Sequence, residues 1–231
     1  SSAILKDGDI VSVDCGVLMN GFYGDSAFTY SVGNVSDDAE KLMQVTRESL
    51  YKGIEMAVEG NRLGDIGYAI QKHTETHGFS VVRDLVGHGV GRSLHEKPEV
   101  PNYGKRGSGI KLKEGMVIAI EPMVNAGEYH VTAMADNWTI KTKDGSLSAH
   151  FEHTIAIKKD KADILSSFKY IDEGLKKNKQ FVWKKPRKVK KIPQVLKNIN
   201  KGERKKKKPL GKRVLWENIG GGISGGGGTR R

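Results

Sequence analysis

The sequence predicts an α+β domain over residues 1–170 and a separate basic tail over residues 171–231. Three observations predict it. Strand-like segments cluster before and after two consecutive amphipathic helices instead of alternating with them. Residues 6–14 and 113–121 share one pattern: basic, acidic, glycine, then an alternating apolar run ending in a carboxylate, Asp14 or Glu121. Two like strands that each deliver a carboxylate suggest two pseudo-equivalent halves facing one site. Third, charge divides sharply along the chain. Residues 1–170 hold 19 Lys/Arg against 23 Asp/Glu, whereas residues 171–231 hold 20 against 4, so a body of net −4 carries a tail of net +16.

The elements follow in order. Residues 9–17 are rich in Ile and Val and read as a strand, and Asn20-Gly21 is a strong hairpin signal. Residues 22–32 read as the returning strand. Helical spacing begins at Asp37 with Ser36 as N-cap, runs through Leu42, Val45, Ser49 and Leu50, and is expected to end at Gly60. A second helix is expected from about Leu63 to His77. Ile66, Ala69, Ile70 and His73 lie on one face, and Gly78 caps it. Residues 79–82 read as a short strand and residues 87–96 as a glycine- and histidine-rich loop. Strands resume at 116–122, 138–142 and 147–157, with Asp144-Gly145 as a hairpin turn. From about Ile171 the helix and strand patterns dissolve into Lys runs and a glycine tract, the composition of a disordered tail.

Composition excludes some classes. No run approaches the ~20 apolar residues that span a bilayer, so no membrane association is expected. Residues 1–10 lack the charged n-region and cleavage site of a signal peptide. The one cysteine, Cys15, rules out an intrachain disulfide and fits a reducing, cytoplasmic setting; it reads as a small buried hydrophobe.

The chemistry starts at the first hairpin. With Asn20-Gly21 as a two-residue turn, Met19 faces Phe22, Gly16 faces Asp25 and Asp14 faces Ala27. Asp14 and Asp25 then form a diagonal cross-strand pair roughly 7 Å apart, with Gly16 leaving space beside them. Flanking Val11, Val13 and Phe28 argue for burial, and two like charges in such a sheet need a metal, an Arg or Lys, or a shared proton between them. Glu121 and Glu152 are two further carboxylates inside strand-like sequence, where Glu is disfavoured. His88, between Gly87 and Gly89, offers a nitrogen ligand, and His95 follows seven residues later. His150 and His153, beside Glu152, are expected by alternation to point elsewhere or to support the site.

Asp14 to Asp25 with Asn20-Gly21 between them, Gly87-His88-Gly89-Val90-Gly91 leading to His95-Glu96, Ile120-Glu121-Pro122-Met123, and Phe151-Glu152-His153-Thr154 together resemble the ordered signatures of methionine aminopeptidases. The resemblance covers about residues 4–170. With no large insertion between His95 and Glu121, it is to the shorter, bacterial type I form. It implies a pita-bread fold, a curved antiparallel sheet with helices on its outer face. It also implies two divalent metal ions (Co, Mn, Fe or Zn). Asp14 would bind one, His88 and Glu121 the other, and Asp25 and Glu152 would bridge both. Glu121 is then the expected proton shuttle in removing the initiator methionine from nascent polypeptide N-termini. His95 is the expected hydrogen-bond donor to substrate and tetrahedral intermediate, and the chain is expected to be a monomer. Trp138 matches a family position lining the methionine pocket, although taking Asp144-Gly145 as the turn sets Trp138 opposite Phe151, away from Glu152. Leu94 stands where the family often has an aromatic residue.

Two departures shape the alternatives. The family carries an N-terminal section ahead of the position matching Ile4, with helices, part of the methionine pocket and a further histidine. The N-terminal part of the fold is therefore expected to be missing and the chain to be a partial sequence. The basic tail, in which Phe181 and Trp183 stand among lysines, reads either as a solvated, unstructured extension or as a segment that docks on ribosomal RNA. The alternatives are a prolidase-like sister peptidase on the same fold and a non-catalytic relative that binds the ribosome or RNA.

Overall fold

The computed structural model describes residues 4–177 of the chain. In chain order the first elements are β1 (Ile10–Asp14), β2 (Val17–Met19), β3 (Phe22–Gly24) and β4 (Ala27–Ser31). The two strands expected over 9–17 and 22–32 are each split, at Cys15-Gly16 and at Asp25-Ser26. The register still holds across both breaks: Met19 pairs with Phe22 and Asp14 with Ala27. Asn20 (φ 53°) and Gly21 (φ 80°) occupy the left-handed region that a type I′ hairpin turn demands.

Helix α1 (Asp37–Met56) starts where the Ser36 side chain accepts from the Ala39 N–H at 3.2 Å, and Asp37, Asp38 and Glu40 complement the positive end of its dipole. Its buried stripe runs through Ala39, Leu42, Met43, Thr46, Ser49, Leu50 and Ile54. The helix stops at Met56, four residues before the expected Gly60. Helix α2 (Leu63–Thr76) follows, and Gly78 (φ 84°) turns the chain after its C-cap, His77. Gly53 lets the two helices close. A Cβ there would lie 2.8 Å from Ile70 Cδ1.

The remaining elements are β5 (Ser80–Val81), β6 (Gly87–Gly89), β7 (Glu96–Val100), β8 (Val117–Ile120), β9 (Met123–Asn125), β10 (Val131–Ala133), β11 (Ile140–Thr142), β12 (Ser148–His150), β13 (His153–Ala156), β14 (Asp163–Ile164) and α3 (Lys169–Lys177). All named strand pairs are antiparallel. One sheet has the order β14-β13-β8-β6-β7, another β12-β9-β5, and three are two-stranded. Helix α1 packs on β8, β9 and β12, and its apolar stripe joins Phe28, Ile118, Ile120, Val124, Phe151 and Ile155 in one core.

The internal repeat is visible in the backbone. The Asp9 N–H donates to the Lys6 carbonyl (3.0 Å) and the Met116 N–H to the Lys113 carbonyl (3.2 Å). Gly8 (φ 91°) and Gly115 (φ 86°) stand at the third turn position, where positive φ is required. Two matching turns thus launch β1 and β8 toward Asp14 and Glu121.

Three expectations fail. The glycine-rich segment around His88 is not all loop, since Gly87–Gly89 forms β6 inside the five-stranded sheet. The segment 138–142 does not pair across Asp144-Gly145. Its strand β11 pairs with β10, and β12 pairs with β9, so the Trp138–Phe151 register does not exist. Helical structure also continues past Ile171, because α3 crosses residue 170. Arg47 of α1 donates two bonds to Asp172 (3.0 and 2.7 Å), and Ile171 and Leu175 lean on the core. The disordered tail expected further on, over 178–231, falls outside the described residues.

Candidate metal centre

Each half of the fold brings two carboxylates to the same place. Asp14 is the last residue of β1, and Asp25 sits in the break between β3 and β4. Glu121 follows β8, and Glu152 sits in the break between β12 and β13. The halves are stitched directly. The Glu152 N–H donates to the Ala27 carbonyl (2.9 Å). The Asp25 N–H donates to Thr154 Oγ1 (2.8 Å), and that hydroxyl donates back to the Asp25 carbonyl (2.8 Å). Thr29 Oγ1 donates to the His150 carbonyl (2.6 Å) and accepts from the His150 N–H (2.9 Å). The broken strands free Asp25 and Glu152 from ladder pairing and aim both at the seam between the halves.

His88 enters from β6. Its Nδ1 lies 2.9 Å from the Gly89 carbonyl, a contact that orients the ring with Nε2 facing the carboxylates. Nε2 is 3.5 Å from Glu121 Oε1 and 3.8 Å from Asp25 Oδ2. The His95 ring stands edge-on to His88 with centroids 4.3 Å apart, and His95 is exposed. Candidate ligand atoms fall within 4.8 Å of one another in three overlapping groups: Asp14, Asp25 and Glu152; His88, Glu121 and Glu152; and Asp25, His88 and His95.

The electrostatics favour neutralisation of the cluster, by a cation or by shared protons. Glu152 is 1% exposed and its Oε1 has no hydrogen-bond partner among the described residues. Burial first, then the charges of Glu121, Asp25 and Asp14, push its pKa well above the ordinary carboxylate range. Burial likewise raises Asp14 to about 6, with Asp25 and Glu121 adding to the rise and His150 opposing it. Of the neutralising partners open from the sequence, the largest influences on these two groups include no Lys or Arg. A donor set of four carboxylates and an imidazole is oxygen-rich and suits a hard or borderline divalent cation.

The structure also places residues that sequence reasoning left open or misjudged. Of the two courses expected for His150, it takes the second and supports the site. It is buried, with Nε2 3.6 Å from Glu121 Oε2. Residues two apart share a face of a strand, so His150 keeps to the side of Glu152 even though β12 and β13 are separated at Phe151-Glu152. His153 does lie apart from the site. It is within hydrogen-bond distance of Tyr51 (3.3 Å) and Ser166 (3.2 Å), and burial pushes its pKa down to about 4. The space expected beside Gly16 is filled, because a Cβ there would lie 2.8 Å from Leu94 Cδ1. Val13 and Cys15 are exposed rather than buried. Trp138 is 61% exposed, between β10 and β11.

The family described as metallopeptidase family M24 matches residues 1–159. A methionine aminopeptidase of Clostridium perfringens and methionine aminopeptidase 1 of Bacillus subtilis are each 59% identical over 165 residues, covering 71% of this chain and 66% of theirs. The crystal structure of methionine aminopeptidase from Thermotoga maritima superposes with a TM-score of 0.69 at 53% identity, covering 70% of this chain and 65% of that one. The α+β pita-bread fold expected from the sequence is the fold of these neighbours. The chain spans just under two thirds of the length of these relatives.

Proposed function

The chain belongs to metallopeptidase family M24, a family of divalent-metal enzymes, and on that premise we propose that it removes the initiator methionine from nascent polypeptides. The observation that carries this reading is the convergence of Asp14, Asp25, His88, Glu121 and Glu152 on one buried seam. In our assignment Asp14 would hold one divalent ion, His88 and Glu121 would hold a second, and Asp25 and Glu152 would be shared by both. Bound there, a metal pair supplies Lewis acidity and lowers the pKa of water. Glu121, the more accessible of the two Glu residues, takes the proton from the attacking water and returns it to the leaving amine. Exposed His95 donates a hydrogen bond to the substrate carbonyl, where negative charge develops. Trp138 has apolar surface to gain by covering the methionine side chain.

We further assign the domain to residues 1–177, because α3 is anchored by Arg47. The remaining basic tail is proposed to dock on ribosomal RNA in the cytoplasm, with the chain acting as a monomer. Among the described residues no helix is long and apolar enough to cross a membrane.

The test is hydrolysis of Met-Ala-Ser by the full chain with Mn²⁺ or Co²⁺, beside a peptide with proline second. Release of free methionine from the first peptide is expected, with Glu121→Gln slower by at least about 100-fold. Cleavage of the proline peptide alone would favour a prolidase-like enzyme. Two bound ions without any cleavage would favour a non-catalytic binding role.

A further inference from the structure

A second ligand cluster lies where α1 meets α2, and it shares no residue with the seam. Glu48 of α1, His73 in the last turn of α2 and His77 at its C-cap each offer one ligand atom, all within 4.8 Å of one another. The two histidines are four residues apart, the spacing that stacks side chains on one helix face and lets a helix chelate zinc. Their ring centroids are 4.5 Å apart.

The three groups are already oriented. Gln44 Nε2 donates to Glu48 Oε1 (2.7 Å), which turns Oε2 toward His73 Nε2 at 3.1 Å. In a tetrahedral zinc site with bonds of about 2.0–2.1 Å, ligand atoms lie about 3.3–3.4 Å apart, so this pair needs almost no adjustment. His77 Nδ1 lies 2.8 Å from the His73 carbonyl, and metal-binding imidazoles characteristically spend their second nitrogen on such a bond. Two nearby cations oppose a bound ion. Lys41 Nζ donates to the His77 carbonyl (3.1 Å), and Lys52 bears on His73 but is paired with Glu55 (2.9 Å).

We propose that Glu48, His73 and His77 form a separate metal site that takes one imidazole-seeking divalent ion, Zn²⁺, and pins the C-terminal end of α2 to α1. Two nitrogens and one oxygen give this site the reverse preference of the seam, where oxygens outnumber nitrogen four to one. Water would complete the coordination.

The test uses the full chain carrying Asp25→Asn and Glu152→Gln, which disables the seam, titrated with Zn²⁺ alone. One Zn²⁺ per chain is expected, with a rise in Tm. Adding His77→Gln should weaken binding by at least 10-fold. Glu48→Gln keeps an oxygen for the Gln44 bond, so it tests the site without disturbing the helix pair, and it too should weaken binding. In imidazole NMR spectra only His73 and His77 of the chain's seven histidines should shift on the first equivalent. Absence of Zn²⁺ binding in the seam-disabled chain, binding indifferent to both added substitutions, or first shifts at other histidines would overturn the proposal. Failure of the seam itself is read separately, from Mn²⁺ binding by the unsubstituted chain.

Discussion

Asp14→Asn should stabilise the metal-free chain at pH 7.5. Folding raises the Asp14 pKa from 3.8 to about 6, burial being the largest cause and the neighbouring Asp25 and Glu121 the next that raise it. A carboxyl whose folded pKa is raised binds protons more tightly in the native state. Its favourable contribution is complete below pH 3.8 and is lost as pH climbs through about 6. A difference of about two pH units at about 1.4 kcal/mol each makes about 3 kcal/mol, an upper figure for a partly exposed group that shares its field with three other carboxylates. Asparagine carries no charge and escapes this cost. Urea unfolding in EDTA at pH 4.0, 5.5 and 7.5 measures it. His153, whose pKa is depressed to about 4, works the other way: its contribution is full above 6.5 and fades as pH falls toward 4. Absolute stability therefore mixes the two trends, and the informative quantity is the variant minus the unsubstituted chain, in which His153 cancels. That difference should be up to about 3 kcal/mol at pH 7.5 and near zero at pH 4.0. With Mn²⁺ at a hundred times its Kd, the unsubstituted chain gains about 2.7 kcal/mol and the variant less, reversing the order as the affinity for metal falls. An Asp14→Asn chain less stable than its parent at pH 7.5 in EDTA, or a difference that ignores pH, would refute the reasoning.

Thr154→Val removes the hydroxyl that serves both the Asp25 N–H and its carbonyl; it should cost about 1–3 kcal/mol in urea unfolding and weaken Mn²⁺ binding by misplacing Asp25. Gly67→Ala would set a Cβ 2.3 Å from the Tyr103 carbonyl oxygen; a loss of about 1–3 kcal/mol is expected, because backbone rather than a flexible side chain must move. His95→Ala should lower kcat on Met-Ala-Ser by about 100-fold while leaving Mn²⁺ stoichiometry unchanged, which separates a substrate contact from a ligand.

Much of this arrangement was legible in the residues. The Asn20-Gly21 turn fixed a register that survives both strand breaks and correctly pairs Asp14 with Ala27. The repeated basic-acidic-glycine stretch marked two like strands that each deliver a carboxylate, and β1 and β8 do lead to Asp14 and Glu121. Ser36 announced α1 by its chemistry as a cap. The misses have physical causes. Gly87-His88-Gly89 reads as a loop because three residues with two glycines carry no strand propensity; partners on both sides, β7 and β8, make it a strand. Asp144-Gly145 promised a hairpin between its flanking segments, but β9 and β10 compete for those strands, and pairing choice of this kind is not written locally. Of the two courses open to His150, pointing elsewhere or supporting the site, the structure shows the second, as expected for a residue two positions from Glu152 and so on its face. Helix α3 was missed because its anchor, Arg47, lies 125 residues away from Asp172.

Five side chains from two half-domains are proposed to build one two-metal centre. Isothermal titration of the full chain with Mn²⁺, before and after Asp25→Asn and Glu152→Gln, tests it most directly. Two ions per chain falling to one or none in each variant is the predicted result. Two ions retained in both variants would contradict it.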